Sequence, residues 1–81
     1  MFINKSKSGR NNICGIQISK LRKRNNMSQR EFADVLQLAG LDIDKNAIQR
    51  IEAGKRFVTD IELMYISKVL EVSLDNLLVE E

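Results

Sequence analysis

Two capping boxes set the frame into which the rest of this chain must fit. Ser28-Gln29-Arg30-Glu31 and Thr59-Asp60-Ile61-Glu62 each place a hydroxyl three residues ahead of a glutamate. In that spacing, hydroxyl and carboxylate can each satisfy a backbone N–H left over at the start of a helix. Met27 with Phe32, and Val58 with Leu63, bracket the two boxes at the spacing of a hydrophobic staple. One helix therefore begins at Ser28 and another at Thr59. With no proline and four glycines among 81 residues, nothing between them forces strands or long irregular loops. The chain is long enough for one domain, and 43% hydrophobic residues with only 5% aromatic predict a modest aliphatic core.

The remaining elements follow from periodicity. Residues 1–12 (MFINKSKSGRNN) are polar and lack an apolar period, so they read as a flexible basic arm ahead of a folded domain over 13–81. Cys14, Ile18 and Leu21 then recur at helical spacing, predicting a first helix that ends near Asn25-Asn26. The second helix should bury Phe32, Ala33 and Leu36, run to about Leu38 and stop at Gly40. Asp44 is a good cap for a third, with Ala47, Ile48 and Ile51 inward and Gly54 closing it. The fourth, from Thr59, turns Leu63, Ile66 and Leu70 inward, and Ser73 caps a short fifth flanked by Val72 and Leu77. The expected fold is all-α with five helices.

Several classes of function lack the residues they need. The chain has no histidine and a single cysteine, Cys14, so neither a usual zinc site nor an internal disulfide is expected. Cys14 lies on an apolar helical face and reads as core rather than as a nucleophile. No glycine-rich phosphate loop and no nucleophile with a recognisable base are present, so an enzyme, a cofactor or a small-molecule substrate is not expected. Neither a signal peptide nor a membrane span is predicted, and a reducing, cytoplasmic setting fits best.

Charge is strongly polarised along the chain. Residues 1–27 carry seven cations and no acid, residues 28–58 balance, and residues 59–81 set six acids against Lys68. Such asymmetry suits one face toward a polyanion and one turned away, although solvated helix faces would give it too. The third helix is more telling. At roughly 100° per residue, the side opposite Ala47, Ile48 and Ile51 presents Lys45, Asn46, Gln49 and Arg50. Lysine and arginine donate to guanine O6 and N7, while asparagine and glutamine make paired bonds to adenine. These four are the candidate base-reading residues of a double-stranded DNA binder.

From Cys14 to Val79 the chain resembles the Cro/cI-type, lambda-repressor-like (XRE) helix-turn-helix family. The resemblance is carried by Leu21-Arg22, Met27-Ser28-Gln29, Phe32-Ala33, the run Ala47-Ile48-Gln49-Arg50-Ile51-Glu52-Ala53-Gly54-Lys55-Arg56, and Leu70 through Leu78. It implies a compact five-helix domain in which the second helix spans the phosphates and the third enters the major groove, as in a transcriptional repressor. It also implies that Gln29, with Arg30 assisting, bonds a phosphate at a helix N-terminus, and that Gly54, Lys55 and Arg56 form a second phosphate-binding loop. Arg22 and Glu52 match a pair that forms an interhelical salt bridge in relatives. One departure stands out: Ala33 and Ile48 are fifteen residues apart, about five more than the compact pattern, which either lengthens the second helix or enlarges the turn. Ile43 is expected to stay buried, with Leu38 or Leu41 beneath the loop. Asp42 and Asp44 put negative charge near the expected phosphates.

A single short reading helix predicts a homodimer on DNA, with half-sites about 34 Å apart. Leu74, Leu77, Leu78 and Val79 crowd the fifth helix, and relatives often dimerise through this region, so the C-terminal end is the expected contact. The alternative reading is a protein-interaction module, antitoxin-like or an adaptor, that keeps the fold without reading DNA.

Overall fold

The computed structural model describes residues 5–79, and among them are five helices and no strand: α1 (Cys14–Arg24), α2 (Gln29–Ala39), α3 (Lys45–Glu52), α4 (Asp60–Leu70) and α5 (Leu74–Leu77). Met1–Asn4 of the expected arm, together with Glu80 and Glu81, lie outside the described residues. Each helix start follows local chemistry. The Ser28 hydroxyl accepts from the Glu31 amide at 3.0 Å while the Glu31 carboxylate accepts from the Ser28 amide at 2.9 Å. Thr59 and Glu62 repeat the reciprocal pair. Asp44 Oδ1 accepts from the Ala47 amide at 2.8 Å to start α3, and Ser73 caps α5. At α1 the cap position is Ile13, which offers no side-chain bond, and the Asn12 side chain just ahead of it accepts from the Gly15 amide at 2.8 Å.

The fifteen-residue step from Ala33 to Ile48 is shared between the end of α2, a turn over 40–44 and the start of α3. α2 runs to Ala39, and Gly40 at φ 112° closes it, so that the Leu41 amide bonds back to the Leu36 carbonyl at 2.9 Å. A non-glycine residue is strained in this left-handed region. Leu41 and Ile43 are buried beneath the turn, whereas Leu38 is 89% exposed, which settles the choice between Leu38 and Leu41. Gln37 Nε2 donates to the Ile43 carbonyl at 2.7 Å and ties the turn to the helix.

Packing, rather than capping, supplies most of the cohesion. Seven side chains (Ile18, Phe32, Leu36, Ile48, Ile51, Ile66 and Leu77) have no exposed surface. Each such burial is worth about 1.5–3 kcal/mol, against about 1 kcal/mol for a cap. α3 lies against α1 and α2, α4 against α2, and α5 closes the other side against α1 and α4. Ala33 is buried where α2 meets α3, and Cys14 is buried on α1, its thiol pushed up to about 11 by burial. Leu77 is a correction to the expected dimer surface. It belongs to the core, where it closes with its staple partner Val72 against the neighbouring helices, and Leu74, Leu78 and Val79 are left exposed.

The N-terminal boundary also differs from expectation. The described part of the arm turns at Ser6–Arg10, where the Ser6 amide donates to the Arg10 carbonyl at 2.8 Å, and Arg10, Asn11 and Asn12 are bonded to residues 51–56. These three residues are part of the folded domain. Asparagine and arginine donors meeting a helix C-terminus, rather than an apolar stripe, hold them there, which is why periodicity does not register them.

Candidate nucleic-acid interface

α3 is placed by two isoleucines and a salt bridge. Ile48 and Ile51 are fully buried, so the opposite side must face outward. Lys45, Asn46, Gln49 and Arg50 are all exposed there. A shallow cleft along this side is lined by Asn46, Gln49, Arg50, Ala53 and Lys55, so the loop after α3 contributes a cation to the same surface. A second cleft, between α2 and the start of α3, is lined by Arg30, Asp34, Gln37, Asp44, Lys45 and Asn46. Asn46 therefore stands between the two recesses, with Lys45 on the second, and guanidinium, ammonium and carboxamide donors converge on one strip of surface. The exposed large apolar side chains lie on α2, α4, α5 and the connections after α3 and α5, among them Leu38, Phe57, Ile61 and Met64, and none lies on α3.

Behind this strip, Arg22 of α1 grips Glu52 of α3 in a two-pronged bridge. Nε donates to Oε2 at 2.7 Å and Nη2 to Oε1 at 2.9 Å, with the side chains only 9% and 8% exposed. Arg22 Nη1 also donates to the Met27 carbonyl at 2.8 Å, fixing the turn into α2. Burial works to raise the Glu52 carboxyl, but the hydrogen bonds from Arg22 and Gln29 outweigh it and hold the group below the usual carboxylate range. Gln29, the first residue of α2, is half-buried and donates through Nε2 to Glu52 Oε1 at 3.0 Å. The network thus joins α1, α2 and α3 through four residues, and Gln29 was legible in the sequence only as a candidate phosphate ligand.

The loop residues are placed unequally. Lys55 is exposed beside the α3 face, and Arg30 is exposed on α2. Gly54 is buried at φ 78°, with its amide donating to the Ile51 carbonyl at 3.0 Å. Arg56 instead turns to α4, where Nη1 and Nη2 bond the two Glu62 oxygens at 3.0 and 2.8 Å. The Arg56 guanidinium holds the Glu62 carboxyl low. Sequence patterning reads Glu62 as a cap alone, whereas it serves both Thr59 and Arg56. Among the described residues no cluster of His, Cys, Asp or Glu is arranged to hold a metal ion, and no helix is long and apolar enough to cross a membrane.

Comparison with known proteins bears on the fold and the family. A family model described as helix-turn-helix matches residues 18–77. The structure is similar to the crystal structure of the restriction-modification controller protein C.AhdI from Aeromonas hydrophila, with a TM-score of 0.68 and 20% identity, covering 79% of this chain and 86% of that one. No curated protein sequence matches the chain.

Proposed function

The chain belongs to the helix-turn-helix family, and from that premise we propose that it is a DNA-binding transcriptional regulator, repressor-like rather than enzymatic, that reads the major groove with α3. The observation that carries this reading is the outer side of α3: four exposed polar side chains of base-reading type, with no large apolar residue among them, lining two adjoining recesses. Arg50 and Lys45 suit guanine O6 and N7, and Gln49 and Asn46 suit adenine N6 and N7. Gln29 and Arg30 at the start of α2, and Lys55 after α3, are assigned to the backbone phosphates on either side. Gly54 lets the loop turn tightly, and Arg56 would reach phosphate only by releasing Glu62.

Two copies are assigned to one operator. Leu74, Leu78 and Val79 remain exposed at the C-terminal end, which supports pairing there without Leu77. Three side chains on so short an element support a weak interface, completed on DNA. A protein-docking role for α3 is not favoured, because a groove-binding helix would present apolar anchors where this one presents Lys45, Asn46, Gln49 and Arg50. The test is a titration of a labelled random-sequence duplex at two salt concentrations, followed by selection of preferred sites. Binding that weakens steeply with salt, with an enriched pseudo-palindrome, is the expected result. No binding at low salt would overturn the reading.

A further inference from the structure

Residues 10–12 do more than precede the domain. Arg10 Nη2 donates to the Glu52 carbonyl at 2.7 Å and the Ile51 carbonyl at 3.3 Å, at the C-terminal end of α3. The Asn11 amide donates to the Gly54 carbonyl at 2.8 Å and its side chain to the Lys55 carbonyl at 3.0 Å. Asn12 Nδ2 donates to the Ile51 and Arg56 carbonyls at 3.0 and 2.7 Å, while its Oδ1 is held by α1 at Gly15. Three consecutive residues thus bond the carbonyls of Ile51, Glu52, Gly54, Lys55 and Arg56. A helix C-terminus ordinarily leaves such carbonyls to water, and a cation is favoured beside them.

The fit is steric as well as polar. A Cβ at Gly54 would meet Arg10 Cζ at 2.7 Å and Cγ at 2.9 Å, so the Arg10 side chain lies against the bare α-carbon. A Cβ at Gly15 would strike the Ile51 carbonyl oxygen, Arg10 Nη2 and the Asn12 carboxamide. Both glycines are needed for the three segments to meet. Because a trans peptide points its C=O and N–H in opposite directions, holding the Lys55 carbonyl on Asn11 turns the Arg56 N–H away from it. Orientation of the loop is therefore dictated from its rear side. The same loop delivers Lys55 to the cleft that holds Asn46, Gln49 and Arg50.

We propose that residues 10–12 form a clasp that sets the pose of the loop after α3, with Arg10 a positioning residue of the DNA interface rather than a DNA ligand. The proposal rests on the DNA-binding reading above. It differs from a basic arm reaching DNA on its own, because the Arg10 guanidinium is already committed to the carbonyls of α3.

The test uses the full chain and a labelled random-sequence duplex, with thermal melts confirming that each variant is folded at the assay temperature. R10K keeps the charge but loses the planar fork that spans two carbonyls. It should weaken binding about five- to tenfold, the scale of losing one charge-assisted bond. In a K55A background the same change should cost almost nothing further, because the loop then has no lysine to aim. N11A, which removes only the bond to the Lys55 carbonyl, is the milder variant if R10K melts too low. Full affinity for R10K, with R10A lowering the salt slope by about 0.9, would make Arg10 a phosphate ligand and overturn the clasp. Effects of R10K and K55A that multiply would overturn it as well. If the wild-type chain binds no duplex, the DNA reading fails, and amide exchange in the free protein then judges the clasp. Faster exchange at Asn11, Gly54 and Lys55 in R10K supports it, and unchanged protection refutes it.

Discussion

Replacing Arg22 by alanine should be among the most damaging single changes in the domain. It removes both bonds to Glu52 and the bond to the Met27 carbonyl, leaving Glu52 with Gln29 as its hydrogen-bonding partner from α2. The two side chains are only 9% and 8% exposed, so this is the buried case, for which loss of one partner costs about 3–5 kcal/mol. An exposed bridge would cost about 0.2–1 kcal/mol. A chain of this length is expected to be stable by about 4–12 kcal/mol in total, so Arg22→Ala removes a large fraction. A paired replacement, Arg22→Met with Glu52→Met, should be far milder, because no charge is then stranded. Urea unfolding followed by circular dichroism measures both. The deficit of Arg22→Ala should also shrink as pH falls from 7 to 4: without Arg22, burial raises the Glu52 carboxyl, which then protonates and ceases to be a stranded charge. A deficit below about 1 kcal/mol at pH 7, or one that does not change with pH, would refute the reasoning.

Other outcomes follow from the same geometry. Arg50→Ala and Gln49→Ala should each relax base preference at one position, at about 1–3 kcal/mol per lost paired contact, with melts unchanged; unaltered preference in a site-selection assay would remove α3 from the groove. Glu71 ends α4 at φ 56°, so Glu71→Gly should raise stability by about 0.5–1 kcal/mol by relieving left-handed strain, and a lower melting temperature would count against that. Glu52 and Glu62 are both held low by arginines. A depressed carboxylate contributes stability above its unfolded value of ~4.3, and this is lost as pH falls through the folded value. Melts at pH 7, 5 and 3 should therefore drop mainly in the last step, and less in Glu62→Gln. Asp44→Asn keeps the α3 cap but removes a negative charge from the interface, so binding at low salt should tighten about twofold, an advantage that salt erases.

What the sequence made legible was local. The boxes at Ser28 and Thr59, the caps Asp44 and Ser73, and the breaks at Gly40 and Gly54 all lie where spacing alone puts them, because each depends on neighbours within four residues. Arg22 and Glu52 are thirty residues apart, and only likeness to relatives brought them together. Nothing in the pattern announced that Arg10 would reach Glu52, or that Arg56 would face Glu62, because polar contacts between elements leave no period. Asn12 did carry a signal, an asparagine three residues before Gly15, but it sits inside a stretch whose polarity reads as a tail. Leu77 was misjudged as well. Four apolar residues in six exceed what one small core can take, and it was the spacing of Val72 and Leu77 around the Ser73 cap, not composition, that marked Leu77 as the one to turn inward.

The near-neutral charge of residues 28–58 conceals how the interface is arranged. Glu52 is spent on Arg22, an arginine from the basic first third of the chain, and Glu62 from the acidic last third is spent on Arg56. Each acid is thereby neutralised locally by a partner outside its own segment. On the outer side of α3 and its loop, Lys45, Arg50 and Lys55 are exposed; Asp34 and Asp44 line the cleft beside Lys45, and Asp44 is tied to the helix N-terminus, where its charge is favoured. A polyanion approaching that side meets three exposed cations, while Glu52 and Glu62 are each held by an arginine. A field that steered DNA toward α3 would have to come from the local placement of Lys45, Arg50 and Lys55 on that side, and the chain's overall balance of +2 says little about it.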